Sequence, residues 1–242
     1  MNLTTEARTR RITSLAIALG VLLIVSLLNR KMNLPILRMQ CVDILRGRDI
    51  MTMFVLAPIG ILLLWEIFEA CAGASRRVLS LLMITGFFFL GLAFGIHEPA
   101  NALGVAGARK LYPAFAESVT FFDDYLGHWI FFAGMAICVT AICAAEAENP
   151  FEKPLSKLNL TLVAIGGIAG AISLYGNSVN DAGTWRDMAV VALCFAIAIW
   201  LHWNAGFVSL RRLPFLFGAY ILLGGGAIAV YSVWIFRILS AH

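Results

Sequence analysis

The chain has 242 residues, of which 61% are hydrophobic and 13% charged, with a net charge of +4 and a mean hydropathy of +0.87. Soluble domains run nearer half apolar and a quarter charged, so a water-soluble globule is excluded, and a bilayer is the solvent that this much apolar surface requires. The positive balance suits loops that meet lipid headgroups, and no interleaving of basic and aromatic residues points to nucleic acid.

Apolar runs predict an all-α, polytopic membrane protein with about seven transmembrane helices. They lie near 13–29, 50–70, 78–100, 119–145, 158–175, 187–205 and 214–236, in one transmembrane domain covering 1–242. Arg8, Arg10 and Arg11 precede the first run, which favours a cytoplasmic N-terminus. Asn29-Arg30-Lys31 follows it with no small-x-small cleavage pattern, so the run reads as a first span and not as a removed signal. The stretch from Asn33 to Asp49 is too polar to span. Leu37, Cys41, Ile44 and Leu45 share one helical face there, with Arg38, Asp43 and Arg46 elsewhere, which predicts an interfacial amphipathic helix.

Pro58 falls inside the second run and predicts a kink. Asn149-Pro150 and Pro154 mark the turn before the fifth run, and Pro214 suits the first turn of the seventh. Gly166 and Gly170 have the spacing that lets spanning helices approach closely. The five cysteines form no Cys-x-x-Cys pair and read as small apolar residues. Glu66, Glu69 and His202, with Trp65, Trp200 and Trp203, read as an interfacial belt on the N-terminal side of the membrane.

Ionisable residues within spans are costly, and this chain gathers them in two windows. The third run ends in Gly95-Ile96-His97-Glu98-Pro99-Ala100-Asn101, and the fourth opens with Phe121-Phe122-Asp123-Asp124-Tyr125-Leu126-Gly127-His128. Antiparallel neighbours bring both windows toward the face opposite the N-terminus. Residues four apart share a helical face, which aligns His97 with Asn101, if the helix survives Pro99, and Asp124 with His128.

His97, Asp124 and His128 form a ligand set for a divalent metal (zinc, iron, manganese or copper), with Glu98 or Asp123 as ligand or general base. Metal-activated water at that point implies a hydrolase of a lipid or small amphiphile. Asn101, Asn177, Asn180 and Asp181 are further polar contacts on the same face. The same residues also suit a proton relay in a transporter, or a hydrogen-bonded pin between helices in a non-catalytic subunit or assembly factor. Membrane lipids are the expected surroundings, with partner subunits or a homo-oligomer under the last reading. By these helix limits His128 lies about six residues, roughly 9 Å, deeper than His97, which weighs against a shared haem.

Overall fold

The computed structural model describes residues 5–29, 35–39, 42–72, 76–105, 113–178, 184–225, 227–228 and 231–232. Helix α1 is Thr5–Asn29, and a β1–β2 hairpin follows (Pro35–Met39 and Val42–Arg46). Helix α2 is Gly47–Cys71 and α3 is Arg76–Val105. Helix α4 joins Pro113–Thr120, Phe121–Gly127 and His128–Glu148 end to end; α5 is Lys157–Ser178 and α6 is Thr184–Asn204. Helix α7 is Pro214–Ala219 continued by Tyr220–Gly225.

Among the described residues four segments are long and apolar enough to cross a membrane: Glu6–Ser26, Gly47–Cys71, Arg76–Gly104 and Phe115–Glu148. Helices α5, α6 and α7 carry shorter apolar stretches. Large side chains such as Phe54, Leu62 and Phe88 point outward and exposed, as they do on helices that face lipid.

The stretch expected to be an amphipathic helix is instead an antiparallel hairpin, with Leu37 opposite Leu45, Arg38 opposite Asp43 and Met39 opposite Val42. The β-branched Ile36, Val42 and Ile44 suit strands. The chain then enters α2 through a buried box. The Arg46 amide donates to Asp49 Oδ2 at 2.8 Å, and its guanidinium grips both Asp49 oxygens at 3.0 Å.

Among the described residues three helices contain a π-helical stretch: Thr52–Leu56 in α2, Phe121–Gly127 in α4 and Tyr220–Gly225 in α7. The first lies where Pro58 predicts a kink. Proline lacks the amide that would bond four residues back, and there the ladder shifts to five, with the Ala57 amide donating to the Thr52 carbonyl. Pro99, by contrast, sits inside an unbroken α3.

The closest pairing is α3 against α4. Buried or half-buried α3 residues fall three and four apart at Leu79, Met83, Gly86, Leu90, Ala93 and His97; α4 answers with Gly127, Phe131, Gly134, Cys138, Ala141 and Ala145. This is the spacing of a knobs-into-holes seam. Its glycines are obligatory, because a Cβ on Gly134 would lie 2.9 Å from the Gly86 carbonyl oxygen and from the Leu90 amide. A Cβ on Gly166 would likewise meet the Ala16 carbonyl oxygen at 3.0 Å, and one on Gly167 the Gly218 carbonyl oxygen at 2.9 Å, so α5 holds α1 and α7 by the same means.

The end of the bundle where α1 begins is tied by polar groups. Glu146, fully buried, accepts from the Phe215 and Leu216 amides at 2.9 and 2.7 Å and so caps α7 from outside, behind Pro214 in its first turn. Arg8 donates to the carbonyls of Ala70 and Asn149 and lies 4.0 Å over the Phe151 ring. Arg211 and Arg212 bind the carbonyls of Leu155 and Phe151. At this end Glu66 pairs with Arg11 and Glu69 with Arg76, and His202 bonds Tyr220 and the Val208 carbonyl. Cys71, Cys138, Cys143 and Cys194 are buried free thiols.

Two stability outcomes follow from these contacts. Gly134→Val forces α3 and α4 apart and lowers stability by about 1–3 kcal/mol. Gly91→Ala, which meets nothing within 4 Å, leaves it unchanged or slightly raised. Thermal unfolding in detergent compares the two, and equal melting would refute the seam. Glu146→Ala leaves two helix-start amides buried without an acceptor and costs on the order of 2–3 kcal/mol in the same assay.

Candidate functional site

The two acid–histidine windows meet. The rings of His97 on α3 and His128 on α4 lie 5.0 Å apart between centroids. The depth difference expected from the sequence is absent, because α3 runs on through Pro99 to Val105 and α4 begins at Pro113. Both histidines therefore sit inside their helices and not at the ends. Gly127 makes room for the approach, since a Cβ there would stand 2.8 Å from His97 Cβ.

The two neighbouring acids differ in burial. The seam on α4 runs 145, 141, 138, 134, 131, 127, and its next α-helical member would be Asp124. Phe121–Gly127 is π-helical, and that wider turn carries the buried face on to Asp123 and Val119. Asp123 is 7% exposed, while Asp124 is on the exposed side of α4. Asp123 bonds His97: Nδ1 lies 3.0 Å from Asp123 Oδ1 and 3.1 Å from the Asp123 carbonyl oxygen.

Both partners are acceptors, so Nδ1 carries the hydrogen. In the neutral ring Nε2 then keeps its lone pair for a proton or a metal. Among the described residues no three His, Cys, Asp or Glu side chains gather as a metal-ligand group.

His97, Glu98, Asn101 and His128 line one end of a cavity of about 500 Å³ inside the bundle. Glu98 is itself buried. The lining also includes Asn29 at the end of α1, with Arg48 and Thr52 at the start of α2. Asn29 Nδ2 donates to the Arg48 carbonyl at 2.9 Å and to Thr52 Oγ1 at 3.0 Å. Beyond this polar end the walls are apolar, from Leu22 and Leu64 to Gly170 and Leu222.

Asn177 belongs to α5 by its backbone, but its side chain, together with Asn180 and Asp181, lies outside the described residues. Sequence reasoning missed Asn29, Arg48 and Thr52. Their signal is the charged group Arg46-Gly47-Arg48-Asp49 at the mouth of the second span, which was absorbed into the expected amphipathic helix. Comparison with protein-family models, with curated proteins and with solved structures gives no match for the chain.

The register of α4 is directly measurable. Asp123→Ala shifts the ring-nitrogen NMR signals of His97, and Asp124→Ala leaves them in place. The reverse pattern would restore the purely α-helical register.

Proposed function

We propose that the chain is an integral membrane protein of seven spans, with its N-terminus on the cytoplasmic side, that takes a lipid or small amphiphile into the bundle and hydrolyses it. The observation that carries this reading is the cavity: apolar along most of its length, with imidazoles and a carboxylate at one end only. An apolar pocket with a few convergent polar groups is the usual form of a small-molecule site. The arginines ahead of α1 orient the tied end to the cytoplasm, so the polar end of the cavity opens toward the other face.

In this reading His97 is the general base. Asp123 holds Nδ1 and stabilises the imidazolium, while Nε2 takes the proton of a water that attacks the ester carbon or phosphorus. The same proton then passes to the leaving alcohol as its bond to the acyl or phosphoryl centre breaks. Glu98, on the same wall, orients that water.

A divalent metal that His97 Nε2 and His128 would hold, with remaining positions open to water or substrate, is a second reading. It is favoured by the contact of the two rings and by the acid at Nδ1, where a metal-binding histidine donates its other hydrogen. Zinc, iron, manganese or copper fits such a set. Under a transport reading the same cavity binds the amphiphile without turning it over.

Detergent-purified protein is to be incubated with single-chain esters and phosphoesters and the released products measured. His97→Gln lowers turnover by about 10²–10⁴-fold. Metal content of the wild type beside His97→Gln and His128→Ala separates the two readings: about one metal per chain, lost in both variants, favours the metal. Amphiphile binding without product from any member of the panel would remove hydrolysis and leave a carrier.

A further inference from the structure

The bundle is hollow beside the histidines and solid beneath them, and the depth of the hollow limits the tail it accepts. Resting on the reading of the cavity as an amphiphile site, we infer that the ligand is a medium-chain amphiphile with about eight carbons below its reacting centre. Gly60 and Leu64 on α2 set that length.

The floor is built by three helices. The lining ends at Leu64 on α2, at Leu90 on α3 and at Met135 on α4. Toward the tied end the interior is filled by Phe68 on α2, Met83 on α3, and Cys138 and Ile142 on α4, all 0% exposed. These residues form one cluster with Leu64 and Leu90. Trp65 braces it, with its ring 5.5 Å from that of Phe68 and 6.1 Å from that of Phe87. A close-packed interior admits further methylenes only with strain, so a tail stops at this level.

The depth is measured from the histidines. Leu90 lies seven residues along α3 from His97, and Met135 lies seven along α4 from His128, about 10 Å in each case at helical rise. The two rings adjoin, so both helices measure from one level, and they agree. A saturated chain advances about 1.25 Å per carbon, given a bond of ~1.52 Å and a near-tetrahedral angle, so about eight carbons reach the floor. A longer tail has to fold back on itself or lift its head away from the histidines.

Gly60 holds this depth open. Three glycines line the cavity: Gly60, Gly127 and Gly170. Packing requires two of them, because a Cβ on Gly127 would stand 2.8 Å from His97 Cβ, and one on Gly170 2.7 Å from Leu222 Cδ1. A Cβ on Gly60 would meet Leu22 Cδ2 at 3.4 Å, an ordinary contact, and nothing nearer among the described residues. Glycine weakens a helix interior, and here packing gives no reason for it, whereas the lumen does. Gly60 lies one helical turn from Leu64 on the side of the histidines, so a branched side chain there fills the lower part of the hollow.

The test is binding of butyl, octyl, dodecyl and hexadecyl chains, as glycerol ethers and as phosphonates, neither of which hydrolysis consumes. Native mass spectrometry of the detergent-purified protein reads the binding, and each ligand is referred to its mole fraction in the micelle. That reference cancels the ordinary gain per buried methylene and leaves the fit. Octyl ligands bind about tenfold or more tightly than hexadecyl ones on this scale. Gly60→Leu removes that octyl binding and spares butyl, and Leu64→Ala moves the optimum up by about two carbons. Leu62→Ala, on the outward face of the same helix, changes neither. Melting curves establish that each variant is folded.

Hexadecyl ligands that bind as tightly as octyl ones, with both weakened by Gly60→Leu, overturn the length limit and leave the amphiphile cavity standing. If Gly60→Leu does not fold, the wild-type series still decides the length, and an unchanged optimum in Leu64→Ala overturns the floor. Failure of every chain with either head to bind, or binding that both cavity variants leave unchanged at every length, overturns the cavity reading itself.

Discussion

The close approach of α3 and α4 is the constraint on which the rest of the structure depends. In hydrocarbon there is no hydrophobic drive between helices, so two spans hold together only as far as their surfaces interlock. Glycines at 86, 127 and 134 let the backbones come within contact of one another's carbonyls and amides. The same approach sets the imidazoles of His97 and His128 side by side. The π-helical turn then decides which acid joins them. One wider turn moves the buried face by one position, and a histidine with a neighbouring helix becomes a histidine held by Asp123.

The two ends of the bundle have opposite characters. Where α1 begins, polar groups are spent on backbone: Glu146 caps α7, and Arg8, Arg211 and Arg212 close the free carbonyls of turns. Those groups are saturated by the fold, and their work is structural. At the other end Arg46 and Arg48 both pair with Asp49, Asn29 Oδ1 has no partner among the described residues, and His97 Nδ1 meets Asp123. A cavity joins this unsaturated end to an apolar interior. The contrast is what separates the residues that hold the fold from those offered to a ligand.

Much of this was readable from the sequence. The first four apolar runs fall on the four segments long and apolar enough to cross a membrane, and Pro214 opens α7 as expected. The two windows were recognisable because His97, Glu98, Asp123 and His128 are expensive within spans, and they do converge. What could not be read was the phase of α4. Adjacent aspartates differ by one residue, and a π-turn has no signature in composition, so counting by four from His128 selects Asp124. The hairpin at 35–46 was lost for a related reason: a short run with apolar residues on one face suits either period. Glu146 gave no warning, because its partners are two backbone amides 69 and 70 positions away and the Cys71 thiol 75 positions away.

The central claim is that the interior cavity, and not the outer lipid-facing surface, holds the amphiphile's tail with its head at the histidine end. A single-chain phosphate amphiphile with a photoreactive group near the end of its tail, crosslinked in detergent micelles and mapped by peptide mass spectrometry, tests it most directly. The account predicts labels on Leu22, Leu64 and Leu222, which line the apolar depth. Labels confined to outward-facing residues such as Leu62, Phe88 and Ile172 would contradict it.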